Sequence, residues 1–322
     1  MQPQSFYQVV TDDFAAVDQL IRQQLTSRIP LVEKIGDYII SAGGKRLRPL
    51  LTLLAGNALG QCDERTRKLA ASIEFLHTST LLHDDVVDKS DLRRGRATAN
   101  AKWGNSASVL VGDFLYARSF ELMVQLESLP VMRVLSNATR VIAEGEVLQL
   151  TKVRDASTTE ETYMEVIRAK TAMLFEAATQ CAALLVNAPD DQTEALRQYG
   201  DKLGIAFQLM DDLLDYQGDA EELGKNVGDD LAEGKPTLPL IITMRQGTPE
   251  QAQLVRTAIQ KGGIEDLDAI GQAVRDSGAL DYTAQKAREY AEQANACLDI
   301  LPDSIYKDAM RDLANFAVNR ST

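Results

Sequence analysis

Cysteine, histidine and tryptophan are nearly missing from this chain of 322 residues: it has three cysteines, two histidines and one tryptophan. Cys62, Cys181 and Cys297 are odd in number and form no CxxC pair, which excludes a disulfide framework and a cysteine zinc site. Two histidines, His77 and His83, leave little room for histidine-rich metal chemistry. Basic residues are outnumbered, 34 against 47 acidic ones, for a net charge of −13. That balance argues against a nucleic-acid partner bound by phosphate neutralisation, but not against anionic substrates met by local clusters of positive charge. No apolar run approaches a membrane span, and Met1 to Phe14 lacks a basic segment followed by an apolar one. The expectation is a cytoplasmic protein without stable membrane insertion. Aromatics make up only 6%, and alternating strand patterns are nearly absent.

What is present is helical periodicity. Between Ala70 and Val87, Ile73, Leu76, Leu81 and Val87 recur at helical steps with no Gly or Pro between them. Similar stretches run over Ser106–Leu126, Val131–Leu150, Thr159–Val186 and Glu194–Tyr216, and then over Pro249–Gln260, Gly263–Asp276, Asp281–Ile300 and Asp303–Val318. Breaks fall at Gly43-Gly44, Gly95, Pro130, Pro189 and Gly234. No repeat or low-complexity linker marks a boundary. The reading is one all-α domain over residues 1–322, with residues 1–12 as a flexible extension.

Two segments break the amphipathic rule. Leu81-Leu82-His83-Asp84-Asp85-Val86-Val87-Asp88 and Leu209-Met210-Asp211-Asp212-Leu213-Leu214-Asp215 each place DDxxD inside an apolar helix. Spacing of four stacks Asp84 on Asp88 and Asp211 on Asp215, with Asp85 and Asp212 beside them. Aspartate is a poor helix-interior residue, and like charges one turn apart repel. Carboxylates beside apolar neighbours need positive compensation, and oxygen-only ligands suit a hard cation such as Mg²⁺, which takes one or two carboxylates plus substrate phosphates. One DDxxD alone reads as a solvated helix face. Two copies more than a hundred residues apart read as a metal clamp. The EF-hand pattern is missing after Asp215.

Basic residues answer these acids. Arg93-Arg94-Gly95 follows the first motif, and Gly43-Gly44-Lys45-Arg46-Leu47-Arg48 puts three bases behind a glycine pair, where backbone can approach a phosphate. Arginine offers phosphate a bidentate fork. From Asp211 to Lys235 nine acids meet two bases, so Lys225 and Lys235 stand out there. The stretch is not a Walker loop, because Gly228 to Gly234 is spaced one residue too far and Pro236 sits at the Ser/Thr position. No nucleophile elbow or Cys–His pair points to covalent catalysis. The combination suggests a magnesium-bridged diphosphate at one end of a helical bundle.

These motifs, with Phe207-Gln208-Leu209-Met210-Asp211-Asp212, Gly224-Lys225-Asn226 and Glu233-Gly234-Lys235-Pro236-Thr237, resemble the trans-isoprenyl diphosphate synthase family. The likeness runs along the whole chain in the family's order. The wording of Leu81–Asp88 and Asn100–Gly112 is similar to the bacterial long-chain branch, the octaprenyl and solanesyl diphosphate synthases.

The resemblance implies a bundle of long helices around a deep central cavity, usually a homodimer. The implied reaction joins isopentenyl diphosphate 1'-4 to an allylic diphosphate, farnesyl diphosphate being the expected primer. It further implies that Lys45, Arg48, His77 and Arg94 hold isopentenyl diphosphate. Arg93, Lys170, Thr171, Gln208, Lys225 and Lys235 would hold the allylic diphosphate, with Lys170 and Lys225 also counted as catalytic. Asp84, Asp88 and Asp211 would bind several Mg²⁺ ions directly, with Asp85, Asp212 and Asp215 adjacent or acting through water. His77, Lys170, Thr171 and Gln208 have plain packing readings as well.

In this family, aromatics four and five residues before the first motif make a floor for short products. Here those positions are Thr80 and Ser79, both small, implying a long product of C40–C45 for a quinone side chain. Met123 is the candidate for the deeper floor, although an ordinary core methionine fits it equally. A shorter-chain synthase, a class I terpene cyclase and a non-catalytic partner subunit are the rival readings. Neither the isopentenyl site nor the second DDxxD is needed by a cyclase.

Overall fold

The computed structural model describes residues 5–217, 228–262 and 265–320. In chain order the helices are α1 (Ser5–Gln8), α2 (Thr11–Gln24), α3 (Pro30–Ser41), α4 (Leu47–Ala58), α5 (Glu64–Val87), α6 (Ala99–Trp103), α7 (Asn105–Val124), α8 (Leu129–Lys152), α9 (Glu160–Ile167), α10 (Met173–Leu185), α11 (Asp190–Gln217), α12 (Asp229–Ala232), α13 (Leu238–Gln246), α14 (Pro249–Lys261), α15 (Leu267–Asp276), α16 (Ala279–Cys297) and α17 (Ile305–Asn319). Among the described residues the only strands are Leu92–Arg93 and Arg96–Ala97, an antiparallel pair. The expected all-α class is the observed one. No described helix is long and apolar enough to cross a membrane, and the three cysteines are unpaired.

Helix starts follow local chemistry. α5 begins at Glu64, six residues before the apolar period becomes legible, because Asp63 caps it. The Asp63 side chain accepts from the Thr66 amide at 3.0 Å while Thr66 Oγ1 accepts from the Asp63 amide at 3.5 Å. The charged run Glu64 to Lys68 hid this first turn from a pattern search. Proline at its first turn starts α3. The stretch expected as one helix over 159–186 is broken by a π-helical segment, Arg168–Ala172, between α9 and α10. Residues 5–8, within the expected flexible extension, are helical, with Phe6 and Val10 buried.

The chain folds as two compact units, described separately. The first comprises Met1–Asn137, Leu174–Gly200 and Cys297–Leu313. Its core holds Leu50, Leu51, Leu53 and Leu54 of α4 and Leu69, Ile73 and Phe75 of α5, all fully buried. α5 and α7 are joined by three buried serines: Ser72 donates to the Ser119 carbonyl at 3.0 Å, Ser79 to the Gly112 carbonyl at 2.8 Å and Ser108 to the Leu82 carbonyl at 2.9 Å. Each such bond contributes about 1 kcal/mol net. Together they fix the helix that carries the first aspartate motif.

The second unit comprises Ala138–Met173, Asp201–Ala296 and Ala314–Thr322. Its core gathers Ile205, Leu209 and Leu213 of α11 with Leu240 and Ile242 of α13, Val255 and Ile259 of α14, and Ile270 and Val274 of α15. The four-residue spacing of Ile205, Leu209 and Leu213 turns one face of α11 inward and leaves Asp211 partly exposed.

Candidate diphosphate and metal site

In the first unit the motif occupies the end of α5: Asp84 and Asp85 lie in its last turn and Asp88 is the C-cap residue. Helix carbonyls give that end partial negative charge, so each carboxylate there costs roughly 0.3–1 kcal/mol where an opposite charge would gain it. Asp85 is fully buried, and Asp84 and Asp88 are half-buried. Arg93 answers Asp85, with Nε and Nη2 both 2.8 Å from Oδ1. Burial pushes the Asp85 carboxyl up despite that arginine.

Arg93 reaches back because the chain turns at once. Lys89 takes a left-handed conformation after the helix, and Arg94 and Gly95 form the two-residue turn between the paired Arg93 and Arg96, both with positive φ. The turn aims Arg94 at the glycine loop, where Nη1 donates to the Gly43 carbonyl. Gly44 has φ +130°, and a Cβ there would meet the Arg94 guanidinium at 2.5 Å. Lys45 is held in the same loop, its carbonyl accepting from the Tyr7 hydroxyl. Arg48 Nη1 lies 3.2 Å from His77 Nε2 and the guanidinium stacks 4.5 Å from the Phe175 ring centre. Burial and the arginines Arg48, Arg94 and Arg93 hold the His77 imidazole well below its usual pKa, hence neutral. All four residues expected at isopentenyl diphosphate thus belong to one arginine-rich corner of this unit, where the buried Glu74 feels the charges of Arg46, Arg48 and Arg94.

The chain-length candidates sit on the same helix pair. Ser79 is fully buried with its hydroxyl on α7, Thr80 is half-buried and donates to the His77 carbonyl at 2.8 Å, and Met123 is fully buried.

In the second unit the motif lies in α11, described as Asp190–Gln217. Asp212 accepts from the Tyr163 hydroxyl at 2.6 Å and from Gln208 Nε2 at 2.7 Å, and Gln208 Oε1 accepts from Thr171 Oγ1 at 2.9 Å. Asp212 is buried, and burial together with the negative charge of Asp230 raises its carboxyl well above the usual range. Asp215 is fully buried as well. Lys170, in the π-helical turn, donates to Glu146 Oε2 at 2.6 Å and to Gln149 Oε1 at 2.8 Å. Lys235 pairs with Glu233 at 2.5 Å. Gly234, with φ +76°, lets this loop pass Arg154, whose side chain a Cβ would meet at 2.8 Å.

Lys170, Thr171, Gln208, Asp212, Asp230 and Lys235 line one cavity of about 140 Å³. A larger groove of about 1070 Å³ in this unit, along Glu144, Glu160, Arg168 and Lys286, contains none of the expected site residues. Lys225 lies outside the described residues.

The donor set fits a hard divalent cation. Every aspartate of both motifs offers oxygen, and the buried Oδ2 of Asp85 has no hydrogen-bond partner, an unmet acceptor that a cation would satisfy. Among the described residues no three acidic, histidine or cysteine side chains form a ready-made cage. Sequence reading missed Tyr163, Glu146, Gln149 and Arg320. Glu146 and Gln149, a polar pair three apart in an apolar stretch, carried a legible signal. Arg320, 109 residues from the Asp211 it pairs with, carried none.

A family model described as Polyprenyl synthetase matches residues 29–276. The sequence is 53% identical over 321 residues to the octaprenyl diphosphate synthase of Escherichia coli (strain K12), covering 99% of each chain. It is 49% identical over 312 residues to the all-trans-nonaprenyl-diphosphate synthase (geranyl-diphosphate specific) of Rhodobacter capsulatus, covering 97% of this chain and 96% of that one. The fold matches the crystal structure of polyprenyl synthase from Caulobacter crescentus CB15 complexed with calcium and isoprenyl diphosphate, with TM-score 0.96, 45% identity and coverage of 99% and 98%.

Proposed function

The chain belongs to the polyprenyl synthetase family, and from that premise we propose that it is a long-chain trans-polyprenyl diphosphate synthase. It is a prenyltransferase that joins isopentenyl diphosphate units to an allylic diphosphate, with farnesyl diphosphate as primer and a C40–C45 product for quinone side chains. The observation that carries this reading is end-to-end likeness to synthases of eight- and nine-unit products. The whole chain acts as one domain, a reading supported by a family match that spans segments of both units.

Each residue's task follows from its chemistry. Lys45, Arg48 and Arg94 grip the diphosphate of isopentenyl diphosphate, and neutral His77 shares its hydrogen bonds with Arg48. Lys170, Thr171, Gln208 and Lys235, with Arg93 and Lys225, take the allylic diphosphate. Asp84, Asp88 and Asp211 hold Mg²⁺, and Asp85, Asp212 and Asp215 support them. The family uses a divalent metal; magnesium is the proposed ion, which when bound offsets charge on the leaving diphosphate.

The basic side chains stabilise that same charge as the allylic carbon–oxygen bond breaks. The double bond of isopentenyl diphosphate then attacks the allylic cation, and the proton released from its C2 goes to the departing diphosphate. Apolar walls keep water from the cation. Met123 limits chain growth, and the small Thr80 and Ser79 leave the growing chain room to reach it.

A homodimer is supported by the exposed apolar residues Leu110, Tyr116 and Val124 on α7. A cytoplasmic site is supported by three unpaired cysteines. Asp84→Ala and Asp211→Ala should each reduce turnover by at least about a thousandfold with an unchanged circular dichroism spectrum. Near-wild-type kinetics in either variant would contradict the metal assignment.

A further inference from the structure

Asp211 and Arg320 differ sharply in exposure: the aspartate side chain is 41% exposed, the arginine 3%. The guanidinium is fixed from several sides. Nη2 donates to Asp211 Oδ1 at 2.6 Å and to the Phe207 carbonyl at 2.7 Å, Nε donates to the Ala317 carbonyl at 3.3 Å, and the group stacks 3.8 Å from the Phe207 ring centre. Phe207 lies one turn before Asp211 on α11. Three of these four anchors do not involve the carboxylate, so the charge stays where it is whatever Asp211 binds. The contact is made to Oδ1 of the carboxylate.

We infer that Arg320 is a built-in counter-charge that prevents the second aspartate motif from capturing a divalent cation by itself, so that the ion is retained only together with a diphosphate. The inference rests on the reading of Asp211 as a metal ligand. A dication on Asp211 lies close to a buried, poorly screened positive charge, and their repulsion opposes binding. Once phosphate oxygens share the ion, the same guanidinium is attracted to the added negative charge. Loss of side-chain positioning in a variant would weaken binding, whereas loss of this repulsion would strengthen it, so the sign separates a counter-charge from a structural prop.

The test is titration of the purified full chain with Mn²⁺, followed by electron paramagnetic resonance, with and without inorganic pyrophosphate. Without pyrophosphate, Arg320→Gln should bind Mn²⁺ at least about tenfold more tightly than wild type, and Arg320→Lys should stay near wild type. Arg320→Met removes the same charge, keeps an unbranched side chain over Phe207 and should tighten binding equally, which covers the case of a poorly folded glutamine variant. With pyrophosphate the gap should close. Unchanged or weaker binding in the folded charge-removal variants overturns the inference. Asp211→Asn, titrated with pyrophosphate, separates the two levels: weakened binding upholds the ligand assignment even if Arg320 proves silent, and unchanged binding overturns both.

Discussion

Glu74 is the buried acid of the arginine-rich corner, 8% exposed and surrounded by the charges of Arg46, Arg48 and Arg94. Burial pushes its carboxyl from 4.5 up to about 7, the arginines only partly offsetting the loss of water. The folded protein therefore binds this proton more tightly than the unfolded chain does. Between pH 4.5 and 7 stability falls as pH rises, by up to about 3 kcal/mol from this group. Glu74→Gln removes that dependence. Urea unfolding across this range should show the variant gaining on wild type as pH rises, and a constant difference would refute the assignment. At the same scale, Gly44 is required by contact as well as conformation, its Cβ position being filled by the Arg94 guanidinium. Gly44→Ala should raise KM for isopentenyl diphosphate about tenfold or more while leaving KM for the allylic substrate near wild type, as steady-state kinetics would reveal.

At the level of elements, the first aspartate motif sits at a helix C-terminal end, where the backbone itself disfavours negative charge. Selection for helix stability would not put three carboxylates there. The sequence announced this conflict, because apolar pairs flank aspartates at four-residue spacing, and it announced most helices from α5 onward for the same reason of clean periodicity. It did not announce α1 to α4, of which α3 starts on Pro30 and α4 on a left-handed Arg46 rather than on a long apolar stripe. Nor could it announce the π-helical turn at Lys170, or the Tyr163 and Arg320 contacts, which join residues 49 and 109 positions apart through packing. Ser79 was legible as small but not as a hydroxyl bonded to Gly112 on α7. The helix pair predicts that Thr80→Tyr shortens the product. Met123→Ala, which empties a fully buried site, should lengthen it and cost about 2–5 kcal/mol of stability, measurable by product chromatography and urea unfolding.

For the whole molecule, the acidic surplus of −13 coexists with an arginine-rich anion corner, so net charge was a guide to excluded partners and not to the substrate. Leu110 and Val124 on α7 are 66% and 62% exposed, an apolar cost that a second copy of the chain would remove. Replacing both by aspartate should turn a dimer into a monomer in light scattering, and an unchanged mass would refute that interface. The central claim is chain elongation at a cation-assisted diphosphate site. The most direct measurement is product analysis of the purified protein with Mg²⁺, isopentenyl diphosphate and labelled farnesyl diphosphate. The account predicts all-trans polyprenyl diphosphates of C40–C45 that vanish when the metal is chelated; a hydrocarbon product, a C20 end point or no elongation would contradict it.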